Sequence, residues 1–177
     1  MNMKTSRRLA QVGALVALAA FGAACSDSDS DKTKTVTAVD YSFQDLPKSV
    51  DAGTTFTLKN NSDKELHEMV AFRIPDNERR SVQELVNLPE EEQEAIFGGG
   101  PPAFVLIAPP GGGETIKALG DGTLTEKGRY AVACFIPTGA DPQAYLQAAQ
   151  GPSDGPPQVD GGPPHVTQGM FGEFTVK

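Results

Sequence analysis

The chain has 177 residues, enough for one domain plus a leader, and carries 15 basic against 23 acidic residues, a net −8. Three of the basic residues (Lys4, Arg7, Arg8) lie in the first 24, so 12 against 23 remain beyond them, a net −11. So acidic a chain argues against nucleic acid as a partner and suits solubility or a basic docking partner.

Residues 1–24 have a basic start, an apolar run over 9–21 and small residues before Cys25. The run is too short for a stable membrane span and reads as an export signal. Gly22-Ala23-Ala24-Cys25 resembles a bacterial lipobox, with Gly22 where leucine is usual. That resemblance implies a lipidated Cys25 as mature N-terminus and an exported protein held at the outer face of the membrane by lipid alone. Ordinary signal cleavage nearby is the alternative. A lipidated Cys25 leaves Cys134 without a disulfide partner, and a leftover thiol in an exported protein calls for reactivity or a metal. Residues 25–34 are polar and charged, a disordered tether.

From Thr35 the texture turns to β. Val39, Tyr41 and Phe43 alternate with polar residues, as do Phe56 and Leu58. The turn cluster Asn60-Asn61-Ser62-Asp63 leads into a near-continuous apolar run over 66–74, suited to a strand inside a sandwich and ended by Pro75. The period then changes. Ser81 with Glu84 fits a capping box, Val82, Leu85 and Val86 fall at helical spacing, and Pro89 before Glu90, Glu91 and Glu92 opens a second helix that stops at Gly98. The acidic triplet reads as helix capping rather than a metal cluster, because carboxylates one or two apart do not share a helix face.

Glycine-proline clusters at 98–102 and 109–113 bracket the apolar run 103–108. They are turns, since no Gly-Lys-Ser/Thr follows and proline removes the amides a phosphate loop needs. Short strands follow over 114–119, 122–125 and 129–136. In the last of these Tyr130, Val132 and Cys134 are in phase, so Cys134 points into the core. A helix start is expected at Asp141-Pro142, followed by Tyr145 and Leu146. In the final strand Met170, Gly172, Phe174 and Val176 share a face. The fold class expected is an all-β Greek-key sandwich over 35–177, with a small helical insert near 78–97 and a long loop insert near 136–164.

His67, Cys134, His165 and Met170 supply two imidazoles, a thiolate and a thioether, a soft set that suits one copper ion. Taken singly, each is ordinary core filling: a satisfied histidine, a small buried thiol, a packed methionine. Met69, two residues after His67 on the same face, is read as packing. Cys134 with His165 as thiol nucleophile and base lacks an orienting third group, so no enzyme is expected.

The runs N-x-x-x-x-x-H-E at 61–68, G-R-Y-A-V-A-C at 128–134 and H-x-x-x-x-M-x-G-x-x-x-V from His165 resemble the plastocyanin/pseudoazurin cupredoxin family over about residues 35–177. The resemblance implies His67 as the upstream copper histidine, Cys134 as the thiolate, His165 as the loop histidine and Met170 as the axial ligand. The four-residue gap from His165 to Met170 is its most specific part. Two features depart from the family. Thirty residues separate Cys134 from His165, where the family has only a few, and Glu68 stands where an asparagine commonly ties the cysteine loop. The longer loop costs only about 2 kcal/mol of closure entropy, and the carboxylate either accepts from loop amides or alters the potential.

The function expected is a membrane-anchored type 1 copper protein, a monomer passing one electron between extracytoplasmic redox proteins such as a cytochrome or an oxidase. Phe135, Pro163, Pro164 and Phe171 are expected to ring the His165 edge as an apolar docking patch. A cell-surface copper-holding or delivery protein and a metal-free cupredoxin-fold interaction module are the alternatives.

Overall fold

The computed structural model describes residues 32–151 and 156–177. Cys25, the export segment and most of the tether lie outside them. Ten strands run in chain order: β1 (Thr33–Val39), β2 (Ser42–Gln44), β3 (Ser49–Val50), β4 (Thr54–Asn60), β5 (His67–Arg73), β6 (Phe104–Ala108), β7 (Ile116–Leu119), β8 (Thr123–Leu124), β9 (Gly128–Ala133) and β10 (Phe171–Val176). Three short helices join them: α1 (Val82–Leu85), α2 (Glu90–Phe97) and α3 (Pro142–Ala148). The expected helical insert and both expected capping residues are present. Ser81 and Glu84 form the reciprocal capping box, and the Asp141 carboxylate accepts from the Ala144 amide at the start of α3.

The strands form two mixed sheets, ordered β2-β1-β4-β8 and β3-β10-β9-β5-β6-β7. β1 pairs parallel with β4 and β3 with β10, while the other pairs are antiparallel. Alternation along β4 buries Thr54, Phe56, Leu58 and Asn60. Phe56 and Leu58 meet Met69, Phe104, Leu106, Tyr130, Val132 and Phe174 of the larger sheet in one core, so the architecture is an all-β sandwich. β5 lies between β9 and β6, and its first five residues are all buried. A strand covered on both faces needs no alternation, which explains its near-continuous apolar sequence. The outer face is covered at one end by the helical insert, whose Phe97 meets Phe72, and at the other by Tyr145 against Glu68. Val82 and Leu85 of α1 pack on Ile74 and Ala131, and Arg129 links the insert to β10 by donating to Glu78 O, to Arg80 O and to Glu173 Oε2.

Two boundaries differ from expectation. β1 already begins at Thr33, because parallel pairing with β4 carries Thr33 opposite Thr55. Tyr41 is not a strand residue. It sits in the turn between β1 and β2 with φ 63°, in the left-handed region that non-glycine residues seldom occupy.

Candidate metal centre

Antiparallel pairing brings the start of β5, the end of β9 and the start of β10 to one end of the larger sheet. His67 opens β5, Cys134 follows β9 and Met170 precedes β10. The Cys134 amide donates to Met170 O at 3.1 Å and the Met170 amide to His165 O at 3.1 Å, so the main chains of three candidate ligands are tied together directly. Gly169, with φ 106°, closes the 3-10 turn over His165–Gln168 and reverses the chain into Met170.

The thirty residues between Cys134 and His165 close on themselves. Pro137 and Pro164 form an isolated antiparallel bridge, the Thr138 amide donates to Pro163 O and the Gly162 amide to Thr138 O. The His165 amide then donates to Ile136 O at 3.0 Å and the Val166 amide to Cys134 O at 2.7 Å. The rung at the neck of the insert returns His165 to Cys134 as a short loop would.

The side chains converge. The two imidazole Nδ1 atoms lie 3.2 Å apart and Cys134 Sγ lies 3.3 Å from His165 Nδ1. One ligand atom from each of His67, Cys134 and His165 falls within 4.8 Å of the others. All three residues and Met170 are fully buried. Each histidine turns Nδ1 inward and Nε2 outward. Neither Nε2 makes a hydrogen bond among the described residues, although His67 Nε2 is 3.9 Å from Asp40 Oδ1 and His165 Nε2 is 3.3 Å from Glu65 Oε2. Two inward imidazole nitrogens with a thiol beside them in a buried corner suit the nitrogen and thiolate ligands of a soft metal such as copper.

Burial dominates the electrostatics of the site. Burial, then the neighbouring His165, lowers the His67 pKa to about 4, with exposed Asp40 pulling the other way. Burial lowers His165 as well, against the pull of Glu65. Burial and then the Glu68 charge push the Cys134 thiol far up. Without a metal the three groups are held neutral at pH 7, and a bound cation reverses that preference by favouring the thiolate.

Residues beyond the expected four complete the site. Glu68 is buried, its Oε1 accepts from the Phe135 amide at 3.1 Å, and its Oε2 accepts from Tyr145 Oη at 2.9 Å. Its own amide points at Cys134 Sγ at 3.4 Å. The carboxylate thus ties down the cysteine loop, as the departure at this position suggested. Burial raises its pKa to about 7, against the lowering effect of its two donors. Tyr41 stands edge-on to the His165 ring, with centroids 5.1 Å apart. Glu65 and Tyr41 carried no signal in the sequence, since their roles arise from a turn and a crossing that no local pattern records.

The apolar patch expected around His165 is arranged differently. Phe135 and Phe171 take the alternate pleat positions to Cys134 and Met170. Phe135 stands edge-on to Phe72, and Phe171 packs with the helical insert.

Asn60 supports the approach to His67. Its Nδ2 donates to Glu65 O and Ala108 O, each at 2.8 Å, and its Oδ1 accepts from the Ser62 amide. Asn60→Ala leaves these buried main-chain groups unpaired and is expected to cost about 2–4 kcal/mol in urea unfolding.

The two-sheet β sandwich closes at one end on His67, Cys134 and His165, with Met170 buried beside the start of the last strand. No family model and no curated protein matches the chain. Among solved structures it is similar to the dithionite-reduced auracyanin of Roseiflexus castenholzii, at 19% identity and TM-score 0.44, covering 82% of this chain and 97% of that one. It is also similar to auracyanin A, a "blue" copper protein of Chloroflexus aurantiacus, at 16% identity and TM-score 0.40, covering 82% and 98%. Auracyanin B matches at 16% identity and TM-score 0.32, covering 82% and 88%.

Proposed function

We propose that this protein is a type 1 copper protein that carries one electron between extracytoplasmic redox partners and works without being an enzyme. The observation that carries the reading is the convergence of His67 Nδ1, His165 Nδ1 and Cys134 Sγ in a fully buried corner. His67, Cys134, His165 and Met170 would hold the ion. Copper supplies the one-electron couple when bound. The chain's own part is to keep that corner dry and its geometry unchanged in both oxidation states. Each ligand sits on a strand end or on the closed neck of the insert, so little moves when charge changes.

The anchor at Cys25 and an outer-face location belong to the same proposal. Their support is the lipobox-like Gly22-Ala23-Ala24-Cys25 behind a basic start and an apolar run. A redox protein with a basic docking face suits the net acidic charge. A copper-delivery role is less well served, because every candidate ligand is fully buried.

The test is one equivalent of Cu(II) added to the purified protein. An intense visible thiolate-to-copper band and a reversible one-electron voltammogram are expected. Proton release on binding is expected too, since the neutral thiol must ionise. A colourless protein that takes up Cu(I) would turn the reading to copper holding. A protein that binds neither ion would leave an interaction module.

A further inference from the structure

Beyond its neck, the described part of the insert meets two glutamates of the segment that carries His67. Glu65 Oε2 accepts from the Gly139 amide at 3.0 Å while facing His165 Nε2. Glu68 Oε2 accepts from Tyr145 Oη, in the middle of α3, and its amide faces the Cys134 sulfur. Tyr145 is itself fully buried, although it comes from a loop excursion. A buried carboxylate needs a partner at each oxygen. Glu68 has one from the cysteine loop, Phe135 N, and one from the insert, Tyr145 Oη.

We propose that Tyr145 is a positioning residue for Cys134, acting through Glu68, and that the thirty-residue insert is a built part of the metal centre. The metal in that statement rests on the copper reading above; the positioning of the thiol does not. Without the tyrosine hydroxyl, Glu68 Oε2 is left unpaired in the core. The carboxylate must then admit water or shift, and either change loosens the Phe135 amide and the wall over Cys134. Asp141 holds α3 by its N-cap from the surface, so it acts on the same latch from the far side.

The experiment measures how fast Cys134 reacts with 5,5′-dithiobis(2-nitrobenzoate) at fixed pH in the metal-free full-length chain, with Cys25→Ser in every variant so that Cys134 is the one thiol. Tyr145→Phe is expected to react roughly tenfold to a hundredfold faster than wild type, the loss that follows a missing hydrogen bond to a charged group. Leu146→Ala controls for damage to α3, because Leu146 packs against the same core and has no polar group to offer Glu68. After both are corrected for globally unfolded protein by their urea midpoints, Tyr145→Phe should still exceed Leu146→Ala. A Tyr145→Phe rate equal to wild type, or to that of Leu146→Ala, would overturn the proposal. Asp141→Ala should raise the rate in the same direction and decides the question if Tyr145→Phe does not fold. Copper addition is the separate arm. A wild type without a thiolate-to-copper band sinks the copper reading, while the thiol rates still decide the role of Tyr145. With a band present, Tyr145→Phe should shift or weaken it.

Discussion

Cys134→Ser is expected to abolish the visible band completely and to weaken copper binding by more than about a hundredfold, the loss that outer-shell changes alone reach. The thiolate is the single anionic ligand in the set and the source of the charge-transfer band. A serine hydroxyl of similar size keeps the fold but does not ionise beside two imidazoles. Unfolding of the metal-free variant should therefore change little, since the hydroxyl has His165 Nδ1, now 3.3 Å from the sulfur, as a partner. The checks are the absorption spectrum and competition with a copper chelator. A variant that keeps the band would remove Cys134 from the site.

Glu68→Gln should change the pH dependence of the metal-free protein. The Glu68 pKa rises from 4.5 to about 7 on folding, so its contribution to stability is fully present below about pH 4.5 and is lost as pH rises through 7. His67 runs the other way. Its pKa falls from 6.5 to about 4, so its contribution is present above pH 6.5 and lost as pH falls through 4. In wild type the two slopes oppose each other between pH 4.5 and 6.5. In Glu68→Gln only the histidine slope remains, and stability should climb across that window. The variant should gain on wild type by about 3 kcal/mol between pH 4.5 and 8, as 2.5 units at 1.36 kcal/mol each imply. Urea midpoints at the two pH values measure this, and equal differences at both would refute it. In the copper-loaded protein the same substitution removes a negative charge beside the thiolate. The potential should rise, on the order of 100 mV for a unit charge a few ångström away at an effective dielectric near 20. An unchanged or lower potential would mean that Glu68 is neutral or screened in the loaded state.

Much of this site was legible in residue order. The phase of Tyr130, Val132 and Cys134 pointed the thiol inward, and all three are buried. The capping box at Ser81 and Glu84 and the Asp141-Pro142 helix start are local signals carried by adjacent backbone groups, and both appear as read. Tyr41 misled, because its alternation with Val39 and Phe43 is the same whether the chain runs straight or turns. Only the pairing of β1 with β2 shows that it turns.

The sequence by itself determined the inventory and the direction: which four side chains are soft ligands, which way strand phase aims Cys134 and Met170, and where the helices begin. These follow from neighbours in the chain, whose geometry is set by covalent spacing and capping. Tertiary structure alone decided that His67 and His165, 98 positions apart, place their Nδ1 atoms 3.2 Å from each other. It also decided that Tyr145 reaches Glu68 across 77. Such contacts depend on sheet register and on the closure of the Pro137–Pro164 neck, and no local periodicity encodes where two distant segments will meet.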